Sequence, residues 1–329
     1  MKGQDLVFTH GEREFFWRMP RRYRLPHPAI LNLAEFLLLR DFGIEVPPPN
    51  ATRPRAGKRI ALAYSGGVDS HAALRLLPSA IPVHTQVANP STLHKLENAL
   101  LALRKARGLA VVTDSDELPR LHGRSRGFYG YDAWTVPSVL LAEHLKLGFV
   151  ADGNVLETAY LYSGAGHGTR YSAPDQRELR DRFRMAGLEY AMPCAGLTEV
   201  ATTRITASAP YVMGCMRGVG GKPCGACAKC YRKSALNGFP LPVNPEQQKR
   251  LDQEIIPMLP GLLWARDHHG LRHPRIDSIE RDVSWADKWY PKAIELLPEP
   301  LHRKFFKRLR TFGIEPMSDV EALETWVSS

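Results

Sequence analysis

The residues Ser65-Gly66-Gly67-Val68-Asp69-Ser70 constrain this chain more than any other stretch. An apolar run of strand length, residues 59–64, precedes them, and residues 71–77 follow with helical spacing. A strand that breaks at two glycines and opens into a helix forms an anion site. Its backbone N–H groups approach phosphate oxygens closely, and the helix N-terminus adds about half a positive charge. Ser65 and Ser70 can donate hydroxyl bonds to the same oxygens. Asp69 suits the first turn of a helix and can also hold Mg²⁺. The stretch is not a Walker A loop, because no Gly-Lys-Ser/Thr follows.

A second local signal lies far downstream. Four of the five cysteines, Cys215, Cys224, Cys227 and Cys230, are spaced C-x8-C-x2-C-x2-C. Gly218, Gly220, Gly221, Pro223 and Gly225 fill the gaps, so the backbone can fold around one centre. Four thiolates suit a tetrahedral, structural Zn²⁺ with no open position. A disulfide pair and an iron–sulfur cluster are the alternatives. A reducing compartment disfavours the first, and ligand type and spacing favour zinc over the second. Lys222, Lys229, Arg232 and Lys233 flank the cysteines and offset the negative charge of such a centre. Cys194 is left over and reads as a small buried side chain.

With 329 residues and 44% hydrophobic content, the chain can build one large domain or two. No apolar run of about 18 residues occurs, so no membrane span is expected. The first residues, Met1-Lys2-Gly3-Gln4-Asp5, lack the apolar core of a signal peptide, and a cytoplasmic location is the expectation. A net charge of +10 favours anionic partners: a nucleotide, a nucleic acid or an acidic protein surface.

Taken together, the glycine loop and the four cysteines resemble the 7-cyano-7-deazaguanine synthase family of the PP-loop ATP pyrophosphatase superfamily. Local matches accompany them: His94-Lys95-Leu96-Glu97-Asn98-Ala99, Phe149-Val150-Ala151-Asp152-Gly153-Asn154, Ala173-Pro174-Asp175-Gln176-Arg177, and Cys230-Tyr231-Arg232-Lys233 before Gly238-Phe239. The resemblance covers about residues 58–240. It implies an α/β fold: a Rossmann-like PP-loop domain with a parallel sheet and a four-cysteine zinc knuckle, with ATP, Mg²⁺ and Zn²⁺ as cofactors. It implies that Ser65, Gly66, Gly67, Val68, Asp69 and Ser70 bind the β,γ-pyrophosphate, with Asp69 and Ser70 catalytic. Asp152, Asn154, Asp175 and Arg177 would face the substrate, and Cys215, Cys224, Cys227 and Cys230 would hold zinc. The implied reaction is adenylation of a 7-deazaguanine-type carboxylate, releasing pyrophosphate, then attack by ammonia or an amine to give an amide or nitrile with release of AMP. The chain departs from the family pattern at Val87-Ala88-Asn89-Pro90, at residues 162–170 and at Gln176. Its length resembles that of paralogues in anti-phage operons, which act on protein partners. A tRNA-modifying PP-loop enzyme is a further alternative, permitted by the basic charge.

The remaining sequence frames that domain with two additions, residues 1–57 and 241–329. Phe15-Phe16-Trp17-Arg18 and Arg21-Arg22-Tyr23-Arg24 interleave aromatics with arginines. Such a pattern suits nucleic-acid stacking, but packing of the aromatics onto the main domain is the preferred reading. Residues 28–42 have helical spacing, with Gly43 as C-cap, and residues 46–50 form a proline-rich linker. Strands are expected at 81–87, 110–114 and 149–152, and helices at 93–107, 137–147, 177–190 and 198–205. Alternation of this kind predicts a parallel sheet covered on both faces, with ligands beyond the carboxyl ends of its strands. Asp152, Asn154 and Glu157 at such an end suit Mg²⁺, a substrate amine or a helix cap. Pro242–Gln247 starts a helix. Residues 301–309 form a basic amphipathic helix, expected to dock through its apolar face and to leave its basic face for an acidic partner. His268, His269 and His273 lack metal-ligand spacing.

Overall fold

The structure is a computed structural model. It describes residues 4–54, 57–90, 96–128, 132–161, 173–209, 211–212, 214–215, 217–239, 242–252 and 259–325. The chain builds a mixed α/β fold on one seven-stranded sheet. The strands are β1 (Gln4–His10), β2 (Arg13–Met19), β3 (Arg59–Ala63), β4 (Ile81–Val87), β5 (Leu109–Thr113), β6 (Leu147–Ala151) and β7 (Glu189–Ala191). Their order across the sheet is β1-β2-β5-β4-β3-β6-β7. The five strands from β5 to β7 are parallel, and the β1–β2 hairpin adds to β5 antiparallel.

The helices are α1 (Pro28–Leu39), α2 (Val68–Leu76), α3 (Glu97–Lys105), α4 (Val136–Leu140), α5 (Ala173–Met185), α6 (Glu199–Thr206), α7 (Ala228–Leu236), α8 (Pro245–Asp252), α9 (Leu259–His269), α10 (Pro274–Asp277), α11 (Glu299–Thr311) and α12 (Asp319–Glu324). Strand alternation divides the core into two layers. Ile60, Leu62, Phe149 and Ala151 face α2, α3, α6 and α11. Ala61, Val83, Val111 and Val150 face α1, α4 and α5. Both faces are therefore covered, which is why β6, and β3 after Arg59, carry no polar side chain. Among the described residues, no helix is long and apolar enough to cross a membrane.

The N-terminal aromatics pack inward. Phe15, Trp17 and Met19 alternate along β2 and are buried in the same core cluster as α1. Tyr23 is buried and its hydroxyl donates to the Leu140 carbonyl at 3.0 Å. Gly43 takes the left-handed conformation expected of a C-cap, with φ 70°.

Two expected helices end early. The helix predicted over 137–147 stops at Leu140 and continues as turns to Lys146, because the chain must reverse to enter β6 as the next buried strand. The helix predicted over 177–190 runs from Ala173 to Met185 and ends at Gly187, φ +66°. A Cβ at Gly187 would lie 2.7 Å from the Arg53 carbonyl oxygen, so only glycine fits the turn. The residues after it form β7, a three-residue strand too short to leave a periodic signal.

Candidate active site and metal centre

The parallel strands run outward from β3 through β4 to β5, then return to its other side with β6 and β7. The order reverses between β3 and β6, and the crevice beyond their carboxyl ends is where such sheets bind ligands. The glycine loop lies there. Tyr64 still pairs with β4, donating its N–H to the Val83 carbonyl at 2.8 Å. Gly66 then turns left-handed, φ +76°, and Gly67 is the N-cap of α2. A Cβ on Gly66 would lie 2.7 Å from Ala99 Cα of α3. The loop carries its own hydroxyl pair: Ser65 Oγ and Ser70 Oγ are 3.1 Å apart, Ser65 Oγ accepts from Gly67 N at 3.3 Å, and Ser70 Oγ donates to the Gly67 carbonyl at 3.1 Å.

Asp69 is the loop's ionic centre. Its Oδ1 accepts from Thr202 Oγ1 on α6 at 2.8 Å and pairs with Lys233 Nζ on α7 at 3.4 Å. Lys233 also lies 3.9 Å from Glu199 Oε1. Glu199 is held by both arms of Arg232, with Nε to Oε2 and Nη2 to Oε1 each at 3.1 Å. Burial alone would push the Glu199 carboxyl up, but the charges of Arg232 and Lys233 outweigh it and hold the group well below the usual carboxylate range. A buried fork of this kind fixes the start of α6 and the side of α7 relative to the loop.

On the β6 side, Gly153 packs against α2 so closely that a Cβ there would lie 2.7 Å from Ser70 Cα. Asp152 and Asn154 are buried, and the Asp152 carboxylate accepts from Tyr190 Oη at 2.5 Å and from Asn154 N at 3.1 Å. This pair braces the turn after β6. Glu157 is also buried. Its Oε1 accepts from Glu199 N at 2.8 Å, capping α6, while its Oε2 meets no polar partner among the described residues. Burial, followed by the Glu199 charge, pushes the Glu157 carboxyl up to about 8. Cys194 is fully buried, with Sγ 3.7 Å from the Asp69 carbonyl oxygen. Burial and the charges of Asp69 and Asp152 push its thiol well above the ordinary range, which suits a packing residue better than a nucleophile.

Arg177 is exposed on α5; Asp175 lies on the same helix, and its side chain lies outside the described residues. His94, Lys95 and the segment 162–170 also lie outside them. His268 and His269 end α9 beside Trp264, and His273 caps α10 through Nδ1.

The four cysteines come together as their spacing predicts. Their sulfurs all lie within 4.8 Å of one another. Cys227–Cys230, Cys224–Cys230 and Cys215–Cys227 are 3.5, 3.8 and 3.9 Å apart. A tetrahedron of Zn–S bonds requires sulfurs about 3.8 Å apart, so this set can hold zinc. The long loop between the first two cysteines is pinned by α3. Asn98 donates to the Lys222 carbonyl at 3.1 Å and accepts from Gly221 N at 2.8 Å, while Glu97 Oε1 accepts from Gly220 N at 3.1 Å. Thus α3 touches the knuckle through Glu97 and Asn98 and the glycine loop through Ala99. From the other side, α7 carries Cys230, Arg232 and Lys233 within a single turn.

Sequence reading singled out the loop and the cysteines but gave no role to Thr202, Glu199, Arg232 or Lys233 at the loop. The helix expected over 198–205 marked α6, which Thr198 caps, its Oγ1 accepting from Val200 N at 3.0 Å. Residues 178–254, which contain Glu199, Arg232, Lys233 and all four cysteines, match the model of a family of unknown function, DUF6395. No curated protein matches the chain significantly.

Proposed function

We propose that this chain is an ATP-dependent adenylating enzyme of the PP-loop type, related to the 7-cyano-7-deazaguanine synthases, with a structural zinc knuckle. The observation that carries this reading is the Ser65–Ser70 loop at the reversal point of the sheet, with paired hydroxyls at 3.1 Å and Lys233 beside Asp69. The loop N–H groups, Ser65, Ser70 and Lys233 would hold the β,γ-pyrophosphate of ATP. A carboxylate oxygen of the substrate attacks the α-phosphorus, and the bond to the pyrophosphate oxygen breaks. Negative charge grows on the departing pyrophosphate, where these donors are preorganised. Ammonia or an amine then attacks the acyl carbon of the adenylate, loses a proton and expels AMP, leaving an amide. Where ammonia was the nucleophile, a second adenylation on the amide oxygen, releasing pyrophosphate, and loss of AMP with the two nitrogen protons would give a nitrile.

Asp69 Oδ2, which accepts no bond among the described residues, would bind the Mg²⁺ carried by the nucleotide. That ion would neutralise phosphate charge. Cys215, Cys224, Cys227 and Cys230 would fill all four positions of a zinc ion, which would hold α7 in place. Burial of Cys194 weighs against a thiolation reaction, which needs an accessible thiol or a cluster.

The test is incubation with ATP, Mg²⁺, ammonium and a 7-deazaguanine carboxylate, read as AMP and pyrophosphate. Asp69→Asn is expected to lower the rate roughly 100-fold or more, while leaving the melting temperature close to wild type. An unchanged rate in that variant, or no AMP from any carboxylate acceptor, would remove the assignment.

A further inference from the structure

We infer that a second binding site, for an acidic and partly apolar segment of a partner protein, lies at the opposite end of the sheet from the glycine loop. A cavity of about 980 Å³ opens there between the end of α2, the starts of β3 and β6, and the first turns of α11. Its mouth is lined by Lys58, Lys304, Lys307 and Arg308, and no acidic residue lines it. Its floor includes Ile60, Leu77, Phe149 and Leu301.

The cations are arranged by the fold. Helix α11 buries Leu301, Phe305 and Leu309 against the core, which leaves Lys304 and Lys307 on the solvent side. Arg308 is fixed in place: its Nε donates to the Arg75 carbonyl at 2.9 Å, and its guanidinium lies 5.0 Å from the Phe312 ring centre. Among the described residues, Lys58, Lys304 and Lys307 form no ion pair. Four like charges around one mouth repel one another, and an anionic ligand relieves that repulsion.

The floor decides which anion fits. An inorganic phosphate would leave Pro78 and Pro300, the exposed apolar residues of the lining, wet. A nucleic-acid strand needs aromatic faces for its bases, and the one aromatic ring in the lining, Phe149, is only 4% exposed. Carboxylates on the rim with a large apolar side chain on the floor satisfy both parts of the surface. The site is separate from the adenylation chemistry and does not depend on it.

The experiment is selection of a random dodecapeptide display library on the full chain. Selected peptides are then measured by fluorescence anisotropy against the wild type and a Lys304→Glu/Lys307→Glu variant. A 20-nucleotide single-stranded RNA and pyrophosphate are the comparison probes, and a melting curve checks the fold of the variant. The expected result is peptides rich in Asp and Glu with a Leu, Ile or Phe. They should lose roughly tenfold or more in affinity to the variant and a similar factor when their apolar residue becomes Ala. Peptides without acidic enrichment, or with affinity unchanged in the variant, would overturn the site. RNA or pyrophosphate bound more tightly than every peptide, and lost in the same variant, would overturn the ligand class.

Discussion

Lys233 Nζ stands 3.4 Å from Asp69 Oδ1, joining two residues 164 positions apart. The lysine follows Cys230 by less than one helical turn, so the cysteine knuckle and the glycine loop share one helix, α7. A metal that closes the knuckle also sets the height of Lys233 at the loop. The protein is therefore expected to carry about one zinc per chain, measured by elemental analysis. Replacing the buried Cys230 by Ser should release the metal. It should also raise the KM for ATP more than it lowers kcat, because Lys233 is displaced while the loop itself remains. Full metal content and unchanged KM in that variant would separate the knuckle from the loop.

The Glu199–Arg232 fork makes a stability prediction. Both side chains are largely buried, and Lys233 is the second cation at the same carboxylate. Glu199→Gln keeps the shape of the side chain but removes the carboxylate charge that a largely buried guanidinium forks onto. Breaking such a pair from one side costs about 3–5 kcal/mol. Denaturant unfolding is expected to show a lower midpoint with an unchanged slope. A loss below about 1 kcal/mol, the range of an exposed ion pair, would show that solvent screens the fork.

The loop and the knuckle were legible because each is contiguous: six residues running from the end of a strand into the first turn of a helix, and four cysteines within sixteen positions. Their chemistry is written in local spacing. The ionic network was not legible, because Thr202 and Lys233 reach Asp69 across 133 and 164 residues and only the sheet topology brings them there. Asp152 shows the reverse limit. Its position at a strand end marked it as a candidate ligand, but did not show that its carboxylate accepts from Tyr190, 38 residues on. The amphipathic spacing of 301–309 fixed which face of α11 is buried, but not that its lysines border a cavity with Lys58.

Gly66 should tolerate no side chain. Its positive φ strains any L-residue, and a Cβ would press on Ala99 Cα at 2.7 Å, a backbone atom that cannot swing aside. Gly66→Ala is expected to cost more than the ~1 kcal/mol of an ordinary strained glycine site. It should also weaken ATP binding, because the loop N–H groups turn away from the crevice. Gly11, also at positive φ but with nothing within 4 Å of its Cβ, is the control: Gly11→Ala should show the conformational cost alone, with nucleotide binding unchanged. Equal effects of the two substitutions on nucleotide affinity would show that the close approach to α3 is irrelevant.

Glu157 predicts a pH dependence of stability. Burial first, and the Glu199 charge second, raise its carboxyl from 4.5 to about 8. Between those values the folded chain holds a proton that the unfolded chain has released. Stability therefore falls as pH rises through this window. The contribution is complete below about pH 4.5 and lost as pH passes about 8. In Glu157→Gln the amide can still accept from Glu199 N and has no proton to lose. The melting temperature of the variant minus that of the wild type is expected to grow steadily from pH 5 to pH 8. His71, lowered to about 4 by burial and the Arg75 charge, gives the opposite slope below pH 6.5, but it is present in both chains and cancels in the difference. A difference that stays flat across the window would mean that Glu157 is ionised in the folded chain and that its unpartnered oxygen is reached by solvent.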